Sequence, residues 1–176
     1  MKNILITSIL VFVMACSGEP GNNTASERVK VIKEQASAMG GILVRKDYSA
    51  FVKCTYPKIV ELMGGEKKMI DIMEKGAMEM EKEGSAFLET KIGEPSVVIK
   101  AGNQLQCTVP ITLEMKVPHG HLTNHSTLIA ISEDDGKSWY FVDNSGKSLE
   151  VMRKVLPELS AQLIIPEKQE PRFYKD

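Results

Sequence analysis

Between residues 66 and 87 the spacing of apolar side chains changes its period, and that change constrains the fold more than any other feature of the chain. Met69, Ile70, Met73, Ala77 and Met80 recur at helical intervals, with Lys67, Asp71, Glu74, Lys75 and Glu81 between them. At 3.6 residues per turn the apolar set forms one stripe and the charges lie opposite, which predicts a helix over 66–84. Gly76 weakens it by roughly 1 kcal/mol relative to Ala. From Phe87 onward, segments 87–92, 96–100, 104–117, 122–132 and 138–143 alternate or run in β-branched and aromatic residues, and these read as strands. Gly93-Glu94-Pro95, Ala101-Gly102-Asn103, His119-Gly120 and Asp134-Asp135-Gly136 lie between them. Such short turns join hairpins, so the sheet is expected to be mostly antiparallel. Helices first and strands afterwards is the α+β order.

Other helices flank this switch. Val29, Ile32, Ala36 and Met39 have helical spacing after Ser26, and Gly40-Gly41 reads as a stop. A second helical stretch begins near Asp47 with Tyr48, Phe51 and Val52 inward, Pro57 breaks it or opens the next one at 58–63, and Gly64-Gly65 ends that piece. Residues 148–156 form a short helix before Pro157, and 166–176, with Pro166 and Pro171, read as an irregular tail.

At 176 residues the chain accommodates one domain, expected over 25–165, and a short appendage. The appendage is the N-terminus. Lys2 precedes an apolar run from Ile4 to Met14, shorter than the ~20 residues a permanent membrane helix needs, so residues 1–15 read as a secretory signal. The run ends in Val13-Met14-Ala15-Cys16, which resembles the bacterial lipobox. That resemblance implies lipidation at Cys16, a solvated tether over 16–24, and a membrane partner reached through the lipid. It also implies the bacterial cell envelope, and Ser17 after the cysteine favours the outer over the inner membrane. Losing Lys2 with the signal would make the formal charge of −1 one unit more negative, so electrostatics gives no attraction to anionic lipid or to nucleic acid. Two Asn-x-Ser/Thr matches, at Asn22 and Asn124, are discounted because the pattern arises often by chance and the lipobox resemblance implies a bacterium.

The helical layer followed by a long antiparallel sheet, with Asp47-Tyr48-Ser49-Ala50-Phe51-Val52-Lys53, Tyr56-Pro57-Lys58-Ile59-Val60-Glu61 and Gly64-Gly65, resembles the cystatin-like, nuclear-transport-factor-two-like cone fold over about residues 26–145. The resemblance implies a curved, cone-like sheet. Its members include isomerases, hydratases, dehydratases and non-catalytic binding modules, so it speaks to fold more than to activity. Catalytic members would use acid-base side chains inside the cone, and the candidates here are Asp47, Tyr48, Tyr56, Glu114 and Asp143. They form no matched dyad in the sequence, and Asp47 serves equally as a helix N-cap.

Ser132-Glu133-Asp134-Asp135-Gly136-Lys137-Ser138-Trp139 is similar to the Asp box of sialidases and other sugar-active proteins, where it is a fold element. Turn chemistry explains each residue: Asp134 accepts loop N–H groups, Gly136 tolerates positive φ, and Trp139 packs under the hairpin. Ser132, Asp134, Gly136 and Trp139 are therefore expected to be structural. His119, His121 and His125 are the only histidines. His121 and His125 on one strand would stand about 13 Å apart at ~3.3 Å per residue, too far for one ion, and no Cys or carboxylate lies close in sequence to help His119 and His121 share one at the turn, so no metal is expected; no other cofactor is expected either. The methionines, Met63 and Met78 included, read as adaptable packing against an apolar sheet. Cys54 and Cys107 remain after lipidation, and both a disulfide and two core thiols fit the sequence.

The expectation is a lipid-anchored envelope module that binds or interacts without catalysis, its small-molecule or protein partner unnamed. The alternative is a small-molecule lyase or isomerase using acid-base residues inside the cone.

Overall fold

The structure is a computed structural model that describes residues 24–176, so the signal-like segment and Cys16 lie outside the described residues. Helix α1 (Ala25–Val44) opens with a capping box: the Thr24 hydroxyl accepts the Glu27 N–H at 3.2 Å, and the Glu27 carboxylate accepts the Thr24 N–H at 2.7 Å. Both groups are orphans at a helix start, so their reciprocal bonds set where the helix begins. Thr24 thus belongs to the folded unit and not to the tether.

The expected stop at Gly40-Gly41 does not occur, because α1 runs through both glycines. Gly40 serves a close approach instead. A Cβ there would fall 2.1 Å from Thr90 Oγ1 on the first strand, so only glycine lets the helix lie this near the sheet.

Asp47 caps α2 (Tyr48–Cys54) through a 3.0 Å bond from the Ala50 N–H, and Pro57 occupies the first turn of α3 (Pro57–Leu62). Pro57 fits there because its missing N–H is one a first helical turn leaves unpaired anyway. Gly64 and Gly65, at φ +94° and +93°, turn the chain into α4 (Glu66–Lys82). The methionine stripe of α4 packs differently from the expectation: Met69, Ile70 and Met73 lie against Val52 and Val60 of the neighbouring helices and not against the sheet. Of the stripe only Met69 is buried, and Met78 is exposed.

Six strands follow in one antiparallel sheet: β1 (Ala86–Ile92), β2 (Ile99–Ala101), β3 (Gln104–Val117), β4 (Gly120–Ser132), β5 (Tyr140–Asp143) and β6 (Arg172–Lys175). The long hairpin β3–β4 is its spine. β1 and β2 share the outer edge of β3, while β5 and β6 share the outer edge of β4. Both edges are therefore interrupted. This explains Pro110 inside a central strand, a position proline normally avoids because it cannot donate to the ladder. Pro110 sits where β1 has ended and β2 has not begun, and its carbonyl still accepts the Gly93 N–H at 2.8 Å. The expected strand 96–100 shortens to β2 for a related reason: the Ser96 hydroxyl accepts the Thr108 N–H at 3.0 Å in place of a backbone carbonyl.

The hairpin turn is Pro118-His119, one residue earlier than expected, with His119 at φ +67° and Gly120 already paired with Val117. Nor is the tail irregular throughout, since β6 pairs with β4. Gly120 permits this: a Cβ there would meet the Tyr174 carbonyl at 2.1 Å.

Two apolar layers hold the sheet. On one face Ile32, Ala36 and Met39 of α1 close over Cys107, Val109, Leu128, Ala130 and Phe141. On the other, α5 (Leu149–Val155), capped by Ser148, and the chain after it bring Met152, Leu156, Leu159 and Leu163 against Ile129, Ile131 and Val142.

Candidate functional site

The Asp-box hairpin is a closed hydrogen-bond unit. Asp134 Oδ1 accepts the Lys137 N–H at 3.2 Å, the Ser138 N–H at 2.9 Å and the Ser132 hydroxyl at 2.9 Å, while Oδ2 accepts the Ser138 hydroxyl. Ser132 Oγ in turn accepts the Gly136 N–H at 2.9 Å. Gly136 takes φ +87° and offers its carbonyl to the buried Trp139 indole N–H at 3.1 Å. Gln35 of α1 clamps the loop from outside, accepting the Trp139 N–H at 2.8 Å and donating to the Lys137 carbonyl at 3.0 Å. The side chains of Ser132, Asp134 and Ser138 and the Trp139 indole thus bond within the loop, and Gln35 ties the loop backbone to α1.

Burial pushes the Asp134 carboxyl up, but the bonds from Ser138, Ser132 and Lys137 outweigh it and hold the group below its ordinary value. Hydrogen bonds to the charged form favour that form. A carboxyl depressed in the folded state stabilises above its unfolded pKa near ~3.9, and the contribution is lost as pH falls through the lower folded value. Asp134→Ala should therefore cost about 1–3 kcal/mol at neutral pH, from unsatisfied loop N–H groups. Urea titrations of both proteins between neutral and strongly acid pH check this. The gap should narrow below pH ~4, and a constant gap would contradict it.

The acid-base candidates are scattered. Asp47 is occupied as the α2 cap. The Tyr48 hydroxyl is buried without a hydrogen-bond partner, and burial raises its pKa. Glu114 accepts from Lys91 at 2.7 Å on an open part of the sheet, and that bond lowers its pKa. Asp143 accepts the Ser126 hydroxyl at 2.6 Å and the Ser145 N–H at 2.9 Å, fastening the end of β5. His125 immediately precedes Ser126 on β4 and so projects from the opposite face, where its Nδ1 lies 3.0 Å from Thr112 Oγ1. Ser126, His125 and Asp143 therefore do not converge into a nucleophile-base-acid set.

Tyr56 joins a network that the sequence reading did not assemble. Its hydroxyl accepts from Gln104 Nε2 at 3.0 Å and lies 3.3 Å from Glu133 Oε1 and 3.4 Å from Glu158 Oε1. Burial first, then the two carboxylates, raise its pKa, so the phenol stays protonated near neutrality. Gln106, fully buried, donates to Gln104 Oε1 at 2.8 Å and to the Glu158 carbonyl at 3.1 Å, and accepts the Ser160 N–H at 2.8 Å. Lys58 holds Glu158 from outside at 2.9 Å. This network ties the chain after α5 to the sheet. Two glutamines on alternate positions of one strand were the available signal, since a buried amide demands partners.

Cys54 and Cys107 are free thiols in the layer beneath α1, so the bridge that parity allowed is not made. Burial pushes the Cys107 thiol up to about 12, which keeps it protonated and unreactive. His121 stacks on Tyr174 with ring centroids 5.0 Å apart, and among the described residues no group of three or more His, Cys, Asp and Glu is placed to hold a metal ion. No described helix is long and apolar enough to cross a membrane.

The space between α1 and the sheet, where a cone-like site would lie, is filled by the apolar layer. A concavity lies elsewhere, in the gap between β5 and β6. There a cavity of about 560 Å³ is lined by Ile111, Met115 and Leu122, by Thr112, His125 and Thr127, and by the chain at 143–146 and 166–171. Its volume lies within the range of small-ligand sites. No family model and no curated protein matches this chain.

Proposed function

We propose that this chain is a lipid-anchored binding or interaction module of the bacterial cell envelope, acting without catalysis of its own and built on a cystatin-like, nuclear-transport-factor-two-like domain. The observation that carries the reading is the engagement of the acid-base side chains. Asp47, Tyr56, Glu114, Glu158 and Asp143 each cap, brace or pair within the fold, the Tyr48 hydroxyl is buried without a partner, and the cavity between β5 and β6 brings together polar and apolar contact groups. Such a lining suits recognition, because binding needs donors, acceptors and apolar walls and no matched pKa values.

The anchor supplies the address. Diacylglyceryl and N-acyl chains on Cys16 would hold the domain at the membrane, and Ser17 favours the outer membrane. Cys16→Ala should abolish incorporation of labelled palmitate and move the protein from the membrane fraction to the soluble one, since each lost CH₂ removes about 0.8 kcal/mol of membrane affinity. Unchanged detergent partitioning of the variant would refute the anchor.

A further inference from the structure

The outer edge of β4 is paired at both ends and bare in the middle. Leu128 faces Asp143 at the end of β5, and Thr123 faces Arg172 at the start of β6. β5 and β6 run in the same direction, both antiparallel to β4, so they are two ends of one edge strand with a piece missing. At ~3.3 Å per residue the piece spans roughly 13–17 Å, or three to four residues.

The backbone groups in this gap can be assigned. The Asn144 N–H donates to the Thr127 carbonyl at 3.2 Å, which orients Thr127 toward the edge. Because orientation alternates along an antiparallel strand, the His125 N–H and C=O point the same way. The Asn144 carbonyl is taken instead by the Lys147 N–H at 2.9 Å, leaving the Thr127 N–H free of it. Among the described residues, nothing pairs with the His125 N–H or C=O on this edge.

The chain does not close the gap itself, for a reason at each end. After β5, the Asp143 carboxylate captures the Ser145 N–H, and Ser145 and Gly146 at φ +51° and +70° turn the backbone away. Before β6, Pro171 fixes its own φ at about −65°, away from the roughly −140° of an antiparallel strand, and the ladder begins only at Arg172.

We propose that this gap binds a short extended peptide segment of a partner protein, which adds antiparallel to β4 and completes the interrupted edge. An extended peptide presents the N–H and C=O groups that would pair the His125 N–H and C=O and the Thr127 N–H, and it is the ligand class that sheet edges capture by strand addition. The walls set its pattern. One face of the sheet offers Ile111, Met115 and Leu122, the other Thr112 and His125, so an apolar side chain alternates with small polar ones. The proposal rests on the binding-module reading by naming its ligand class, and it is tested independently of the lipid anchor.

The test uses the full chain, ¹⁵N-labelled and held in detergent, titrated with blocked pentapeptides that carry Leu, Val, Phe or Lys at alternate positions among threonines. With at least one peptide at about 1 mM, the His125 and Thr127 amides should shift and exchange with solvent at least tenfold more slowly. Methylating the peptide nitrogen that faces His125 should weaken binding about tenfold or more, a comparison that leaves the protein unaltered. His125→Pro, which removes the edge N–H, should weaken it similarly. Equal binding of the methylated peptide, shifts confined to other regions, no response to any peptide, or a response of these amides to chitotriose alone would each overturn the proposal. Release of Cys16→Ala from membranes would be unaffected by any of these results.

Discussion

Trp139→Ala is expected to destabilise the domain by about 3–5 kcal/mol, the cost of removing a large buried aromatic and leaving a cavity. The indole is 3% exposed and packs in the layer with Ile32, Ala36 and Phe141. Its N–H bond to the buried Gly136 carbonyl is lost too, which adds to the cost of the cavity. Equilibrium urea unfolding should show a lower midpoint with an unchanged slope. Trp139→Phe, which keeps most of the ring volume, should recover more than half of the loss. A Trp139→Ala cost below about 1 kcal/mol would mean that the hairpin is held by Asp134 and Gln35 and not by its core contact.

The second large effect is expected at Gln106. Gln106→Ala strips the partners from the Gln104 side-chain carbonyl, the Glu158 carbonyl and the Ser160 N–H at once. Each buried group left bare costs about 1–3 kcal/mol, and partial relaxation or entering water brings the total to roughly 2–5 kcal/mol. Gln106→Met, which preserves shape and removes the polar atoms, should lose a similar amount, because the bare partners rather than lost volume carry the cost. Native-state hydrogen exchange should show the Ser160 N–H opening well below the global unfolding free energy in both variants. Unchanged protection there would show that Leu156, Leu159 and Leu163 alone hold the segment to the sheet.

These two sites differ in how far the sequence revealed them. The Asp-box hairpin could be read from eight consecutive residues, because each bond that shapes the turn runs between near neighbours. The Tyr56–Gln104–Gln106–Glu158 network could not, since its members come from the residue before α3, from β3 and from the chain after α5, and its bonds exist only once those parts meet. The acid-base candidates misled in the same way. Tyr56 and Asp143 were visible as chemistry, yet their roles as brace and strand fastener depend on distant partners.

By itself the sequence determined what short-range forces decide: the α+β order, the helix stripe that starts at Glu66, the Asp47 cap, and the β3–β4 hairpin. Side-chain period, capping and turn geometry act within a few residues and do not wait for the rest of the chain. Tertiary structure decided the remainder. Gly40 became a packing contact and not a stop because Thr90 lies against it, and Gly120 admits the backbone of β6. The tail joined the sheet because the β4 edge beside Gly120 offers its few residues the partners they cannot find alone. The gap between β5 and β6 likewise follows from where two remote segments leave and rejoin one edge. Pairing between remote segments depends on the surface each presents after local structure has formed, which local patterns do not encode.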